Sequence, residues 1–220
     1  MEMRKTVLTL ILIFMPLYLF LKITEINTFN KNFYMKSYEE NQVDSISNRS
    51  LEELDTITED LFVYLKDKGD EEVLSPYFNP LEIEHMKDVK ELFKKGYIIK
   101  YLSLIIFIVA LFISIKNKRW QIEKGLFKGM FIWWGLMISL FLFTLLDFNK
   151  YFTYFHLIFF DNDLWLLDPE TDLLIQMLPE EFFISIFKRI VLLFSLSLAI
   201  IQIAIYIIMK RKEENGGNLI

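Results

Sequence analysis

The sequence predicts an all-α integral membrane protein with four transmembrane helices and two extracytoplasmic segments that contain interfacial amphipathic helices. Of the 220 residues, 54% are hydrophobic and 22 are Phe, whereas a soluble domain is usually about 45–50% apolar. Four stretches approach the roughly 20 apolar residues that cross a bilayer: 7–23, 97–115, 129–146 and 190–209. Basic residues cluster at both ends and in the 116–128 loop, whereas segments 24–96 and 147–182 are rich in carboxylates.

This charge distribution predicts the orientation of the chain. Short loops that carry an excess of Lys and Arg stay on the cytoplasmic side of a membrane. We therefore expect both termini in the cytoplasm, and segments 24–96 and 147–182 on the outer side. The whole chain, residues 1–220, is expected to form one membrane domain.

The first span, 7–23, follows a short basic start, as in a signal peptide. No small residues of the kind that precede a cleavage site follow it, so we expect a helix that stays attached. Pro16 should bend this helix without breaking it, because neighbouring helices can satisfy the carbonyl that it frees.

Two amphipathic helices are expected in segment 24–96. Ser50 and Glu53 have the spacing of a capping box, and apolar residues then recur at helical spacing until about Lys68 and Gly69. A second helix should follow Pro80, with His85 on its apolar stripe. Because Gly96 offers a break before the second span, we expect the helix that carries His85 to lie along the membrane surface.

The region from 151 to 183 mixes aromatic residues with carboxylates. It is too polar to span a bilayer and too apolar for a solvated loop, which suits the headgroup zone. Within it, Asp168 and Pro169 have the residue types of an N-cap and first helical position. They predict a short helix through Met177, and Pro179 can start the last helix, which contains the fourth span.

Composition excludes several classes of chemistry. The chain has no Cys, so it can form no disulfide, thiolate nucleophile, thioester intermediate or Cys-type zinc site. Its net charge of −5 gives no support to nucleic-acid binding, which needs a clustered basic face.

The chain has two histidines, and both lie in segments of interfacial character. Desolvation favours the neutral imidazole, which can accept a proton at one nitrogen and donate at the other. Asp88 lies one helical turn after His85 and could hold its second nitrogen. His156 shares a helical face with aromatic residues and Asp163. Histidines that only pack in a core would show the same spacing.

Two other site types fit the residues less well. A Ser-His-Asp hydrolase would need a positioned serine, and Ser75 lacks the surroundings of a nucleophile elbow. A zinc site could be formed by the two histidines with Asp161 and Asp163, but the sequence contains no HExxH or similar signature.

Two motifs carry a family resemblance. One is the run FHLIFF at 155–160, continued by Asp163, Trp165, Leu167-Asp168, Leu174-Ile175 and 179–183; the other is Glu82 with the run HMKDVK at 85–90. Together with Asp147-Phe148 and Tyr64-Leu65, they resemble the bacterial lipoprotein intramolecular transacylases over nearly the whole chain.

The resemblance implies a membrane enzyme whose substrate is a diacylglyceryl lipoprotein. Such enzymes move the sn-2 acyl chain onto the α-amine of the N-terminal Cys, which gives the lyso-form lipoprotein. Donor and acceptor lie on one molecule, so proximity is built in and no covalent enzyme intermediate is required. No cofactor, metal or nucleic acid is expected, and the partners are the lipoprotein and membrane lipid.

The resemblance also implies site residues. We assign His85 as the base, oriented by Asp88, and His156 as the donor to the oxyanion; the opposite assignment of the two histidines stays open. An apolar substrate cleft facing outward is expected from a further set: Phe155, Phe159, Phe160, Asp163 and Trp165. A non-enzymatic lipid-binding or assembly protein is the alternative.

Overall fold

The computed structural model describes residues 2–117 and 120–217, and the regular structure that it assigns within them is helical. In chain order the helices are α1 (Glu2–Thr28), α2 (Lys31–Glu40), α3 (Val43–Ser47), α4 (Leu51–Leu65), a 3-10 turn (Glu71–Val73), α5 (Pro80–Lys116), α6 (Glu123–Leu146), α7 (Phe148–Phe159), α8 (Leu173–Met177) and α9 (Glu180–Gly217).

The four predicted spans are confirmed as helices that are long and apolar enough to cross a membrane. They lie within α1, α5, α6 and α9, each of which extends beyond the predicted span at one or both ends. Pro16 lies inside α1, which continues on both sides of it.

The chain divides into two compact units. The first unit comprises Met1–Thr24, Ile98–Leu142 and Arg189–Ile220, and the second comprises Glu25–Tyr97 and Phe143–Lys188. Most of the apolar length of the four long helices therefore belongs to the first unit, and both histidines belong to the second.

Close packing between α1 and α6 characterises the first unit. Gly125 and Gly129 have the small-xxx-small spacing that lets helices in a membrane approach closely. A Cβ at Gly125 would lie 2.6 Å from Leu8 Cδ2, and one at Gly129 would overlap the side chain of Leu12. The two glycines therefore form the surface on which leucines of α1 pack.

Side-chain hydrogen bonds also join the helices of the first unit. Trp133 Nε1 donates to the Leu12 carbonyl at 2.7 Å, and Trp134 Nε1 donates to Gln202 Oε1 at 2.8 Å. Gln202 Nε2 in turn donates to the carbonyl of Phe127 at 3.0 Å. These bonds pair polar groups that would find no hydrogen-bond partner in the hydrocarbon of a membrane.

The second unit has an aromatic core between α2 and α4. Tyr34 packs on Phe62, and the Tyr38 hydroxyl is 2.8 Å from the Thr58 hydroxyl. The predicted capping box is confirmed: the Ser50 hydroxyl accepts from Glu53 N, and the Glu53 carboxylate accepts from Ser50 N. The helix that it starts ends at Leu65, a few residues before the predicted end.

Two sequence predictions in the second unit are wrong. The break expected at Gly96 does not occur, because α5 runs uninterrupted from Pro80 to Lys116. Asp168 does not cap a helix: its carboxylate accepts from Glu170 N in a tight turn. The short helix begins only at Leu173, with Asp172 as its N-cap.

Candidate active site

His85 lies one turn inside the N-terminus of α5, and a capping box fixes that terminus. Asn79 Oδ1 accepts from the backbone N–H groups of Leu81 and Glu82, at 2.9 and 3.1 Å. The Glu82 carboxylate in turn accepts a hydrogen bond from Asn79 N at 2.7 Å. His85 follows on the buried side of the helix, with only 7% of its surface exposed.

His156 lies in the last turn of α7. The side chain of Asp147 caps this helix by accepting from Lys150 N at 3.1 Å. The helix is strongly amphipathic, and His156 is its buried residue, also 7% exposed. The apolar spacing of α7 therefore turns the imidazole into the interior of the second unit.

The two imidazoles face each other across a short gap. Their ring centroids are 6.2 Å apart and their planes differ by 35°. Phe160 packs on both rings, with centroids 5.4 Å from His85 and 5.5 Å from His156. One small functional group can therefore contact both imidazoles in a site walled by an apolar ring.

Aromatic rings surround His156 on its other sides. Trp165 stacks on the imidazole with centroids 4.8 Å apart and planes 23° from parallel. Phe152 and Phe155 meet it edge-on, at 4.4 and 5.4 Å. This packing fixes the plane of the imidazole.

A backbone hydrogen bond fixes the tautomer of His156. Its Nδ1 is 2.7 Å from the carbonyl oxygen of Phe152. Because a carbonyl oxygen can only accept, Nδ1 carries the hydrogen, and the lone pair of the neutral ring is on Nε2. His156 can therefore accept a proton at Nε2.

Burial keeps both histidines neutral. It lowers the pKa of His85 to about 4, with a smaller contribution from His156 in the same direction and an opposing one from Asp88. Burial also lowers the pKa of His156 below its ordinary value of 6.5, although its bond to the Phe152 carbonyl opposes the shift. At neutral pH the site therefore contains two uncharged imidazoles.

Asp88 is bound to a loop residue. Its Oδ2 accepts from Asn162 Nδ2 at 2.8 Å, and Asn162 Oδ1 accepts from the backbone of Leu164 at 3.1 Å. His85 Nδ1, in contrast, is buried and has no hydrogen-bond partner within the described residues. The structure thus brings Asp88 to the loop that precedes Trp165.

The remaining predicted cleft residues lie on the more open side of the site. Phe155 and Phe159 pack on each other at 4.8 Å and are 40% and 52% exposed. Asp163 and Asp161 are exposed in the loop that follows. Across ranges 2–117 and 120–217, no three His, Asp or Glu side chains lie close enough to share a metal ion.

Comparison with known proteins identifies the family. Residues 9–183 match the sequence model of the family described as lipoprotein intramolecular transacylase Lit. The chain belongs to this family. A comparison with curated proteins gave no match.

Solved structures of a family member have the same fold. That protein is the membrane integral lipoprotein intramolecular transacylase Lit from Bacillus cereus, 24% identical to this chain, with a TM-score of 0.83 over 97% of this chain and 98% of that one. Two further structures of it carry an H85R or an H85A mutation. Their TM-scores are 0.80 and 0.79 at 25% identity, over 98% and 97% of this chain and 95% and 96% of theirs.

The family assignment makes this chain an intramolecular transacylase that acts on lipoproteins, and it is multi-pass in the membrane. It is an acyltransferase, and its histidine pair lies among residues 9–183 of the family match.

Sequence reasoning gave no role to several residues of this transacylase that support the site. Glu82 Oε1 accepts from Leu174 N at 2.7 Å, 92 positions away. Asn79 Nδ2 donates to Asp172 at 2.9 Å. The spacing of Asn79 and Glu82 is that of a capping box, so these two residues carry a local sequence signal. The bonds to Asp172 and Leu174 depend on tertiary packing and have no sequence signal.

Proposed function

We propose that this transacylase moves the sn-2 acyl chain of a diacylglyceryl lipoprotein to the α-amine of its N-terminal Cys. The observation that carries the proposal is the pair of facing neutral imidazoles, His85 and His156, in an aromatic site. Ester and amine are on one substrate molecule, so the enzyme needs to align them rather than hold an acyl intermediate.

His156 is the general base. Its Nδ1–H is bound to the Phe152 carbonyl, so the free lone pair is on Nε2. This bond supports His156 rather than His85 as base, which is the opposite of the assignment made from sequence. A carbonyl bound to Nδ1–H also stabilises the imidazolium that forms when Nε2 takes a proton, because the bond is then charge-assisted.

His85 is the donor. Its lowered pKa keeps it neutral with one N–H, and its Nδ1 has no competing acceptor among the described residues. A neutral imidazole that does not need to lose its proton can donate to the ester carbonyl oxygen throughout the reaction. Asp88 acts nearby, through its charge and through its bond to Asn162.

His156 both takes the proton from the amine and returns it to the leaving oxygen. As the amine nitrogen bonds to the ester carbon, Nε2 takes one proton from it, and the carbonyl π electrons move to oxygen. The oxyanion then re-forms the carbonyl, and the bond from carbon to the sn-2 oxygen breaks. His156 returns the proton to that oxygen, which leaves an amide and a free glycerol hydroxyl.

The substrate cleft is formed by the aromatic residues beside the pair. Phe160 and Trp165 pack on the imidazoles, whereas Phe155 and Phe159 present exposed apolar area that suits an acyl chain. The exposed carboxylate of Asp163 suits the amine-bearing end of the substrate. Both termini are cytoplasmic in this proposal, and the site faces outward at the cell membrane.

The test uses a synthetic diacylglyceryl-Cys peptide with a deuterated acyl chain at sn-2 only. The purified transacylase in detergent should leave the total mass unchanged and transfer the labelled chain to nitrogen, as read by fragmentation mass spectrometry. An unlabelled chain on nitrogen, or a label that stays on glycerol, would contradict the proposal.

A further inference from the structure

Trp165 combines two features that packing alone does not explain. Its ring stacks on His156 at 4.8 Å, with planes 23° from parallel. Its indole N–H is buried and has no acceptor within the part of the chain that the structure describes. A buried donor left without a partner destabilises a folded protein, because it has lost its bond to water and gained none in return.

Two other tryptophans, Trp133 and Trp134, have this donor bound. Trp133 Nε1 donates to the Leu12 carbonyl, and Trp134 Nε1 donates to Gln202 Oε1. Leu or Phe at position 165 could fill apolar space without the cost of an unsatisfied N–H. An N–H in this position is therefore explained best by an acceptor that arrives with the substrate.

The chemistry of indole limits what that acceptor can be. Indole Nε1 donates and cannot accept, so it cannot bind the N–H groups of the substrate amine. It is also far too weak an acid to transfer a proton near neutral pH. The substrate oxygen that gains negative charge in the reaction is the ester carbonyl oxygen, and a fixed donor in a water-poor site stabilises that charge most.

The stacking makes the ring of this donor a direct neighbour of the ring of the base. The His156 lone pair and the Trp165 N–H lie in the planes of two rings that are nearly parallel neighbours. Neighbouring rings at 4.8 Å can contact one substrate group, the His156 ring through its lone pair and the Trp165 ring through its N–H. The loop that leads to Trp165 is held in place by the bonds from Asn162 to Asp88 and Leu164.

We propose that Trp165 is a catalytic residue: its indole N–H donates a hydrogen bond to the carbonyl oxygen of the migrating acyl group, beside His85. The inference rests on the proposed O-to-N transfer. No proton leaves Trp165 in any step, so His156 still takes and returns the one proton that is transferred.

The test removes the N–H and keeps the ring. Trp165 is replaced by 3-benzothienylalanine, in which sulfur takes the place of N–H, and in a second variant by Phe. In single-turnover assays on the deuterated peptide, we expect the benzothienyl variant to lose about 10²–10³-fold in rate, the usual effect of one oxyanion donor. Its KM should change by less than about threefold, because the ground-state carbonyl binds a donor weakly.

The matched control is the same replacement at Trp133, whose N–H binds the Leu12 backbone. It should leave the rate unchanged. A phosphonate that imitates the tetrahedral intermediate should lose affinity for the benzothienyl variant by a factor similar to the loss in rate.

A benzothienyl variant with normal rate overturns the inference, as does a higher KM at unchanged rate. If the Phe variant does not fold, the isosteric variant decides alone. Failure of the unmodified enzyme to move the labelled chain to nitrogen would instead contradict the proposed reaction, so the two failures are distinguishable.

Discussion

At the scale of single residues, burial and one backbone carbonyl set the chemistry of the histidines. Both imidazoles are 7% exposed and have lowered pKa values. Only His156 has a bound Nδ1, at the Phe152 carbonyl. The two residues are therefore chemically distinct although both are buried and both contact Phe160.

Sequence could identify the two histidines and the aromatic residues near them, because their motifs are local. It could not assign their roles. The tautomer of His156 depends on the 2.7 Å approach of a carbonyl one turn earlier. Asp88 accepts a hydrogen bond from Asn162, 74 positions away, and spacing within a helix carries no signal for such a partner.

The first prediction is that the two histidines act as a unit. His85→Ala and His156→Ala should each remove most of the transacylase rate, and the double variant should cost little more, because groups serving one proton-transfer sequence are non-additive. The measurement is formation of the N-acyl product, normalised to membrane-inserted protein. A single variant with near-normal conversion would show that its histidine only packs.

The second prediction concerns pH. The substrate α-amine must be neutral to attack, and its ordinary pKa is about 7.7–8.0. His156 must also be neutral, and its pKa lies below 6.5, so it stays active to lower pH than the amine. As pH falls, log kcat/KM should first drop with a slope of one, and a slope of two should appear only below about pH 6.5.

The control for this profile is a substrate peptide whose second residue lowers the amine pKa. This substrate should move the first change of slope, which reports the amine, to lower pH. It should leave the second change of slope, which reports His156, in place. A slope of two already present between about pH 6.5 and 7.5 would contradict the lowered pKa of His156.

At the scale of elements, the site depends on how the N-terminus of α5 is anchored. Glu82 is 1% exposed, and its carboxylate accepts from Asn79 N and Leu174 N, both at 2.7 Å. Burial raises its pKa, opposed by these two bonds. One buried carboxylate thus joins the helix of His85 to the start of α8.

Helical periodicity and caps predicted the elements well where they are local signals. The Ser50–Glu53 box gave the start of α4, and apolar length gave the four long helices. The helix break predicted at Gly96 was wrong, because a single Gly destabilises a helix interior by only about 1 kcal/mol. A helix of 37 residues tolerates that cost.

The third prediction is that Glu82→Gln slows catalysis because the N-terminus of α5, and with it His85, is held less firmly in position. An amide can accept one of the two N–H bonds but turns its NH₂ toward the other donor. The second unit should lose about 1–3 kcal/mol of stability, and kcat should fall more than KM rises. Thermal unfolding and steady-state rates measure the two effects.

The matched control is Glu84→Gln on the same helix. Glu84 is exposed and its ion pair with Lys87 lies at the surface, so little stability should be lost. Equal effects from the two substitutions would show that the buried anchor of Glu82 does not position His85.

At the scale of the whole molecule, charge asymmetry is the signal for orientation. The ion pairs Lys124–Glu213 and Lys212–Glu123 join the basic end of α9 to the start of α6 within the first unit. Arg4 donates to the Gln121 carbonyl in the same unit. The three basic clusters of the sequence thus occur in one compact unit, as the predicted cytoplasmic position of all three requires.

The fourth prediction is therefore a topology with both termini and the 116–128 loop inside. The chain has no Cys, so each introduced thiol reports without background. Glu52 and Glu170, both exposed in the second unit, represent the predicted outer segments, and Lys124 represents the inner loop. In intact cells a membrane-impermeant maleimide should label Glu52→Cys and Glu170→Cys but not Lys124→Cys. After permeabilisation all three should react, which controls for the accessibility of each thiol. If Lys124→Cys alone were labelled in intact cells, the orientation would be reversed and the histidine pair would lie on the cytoplasmic side.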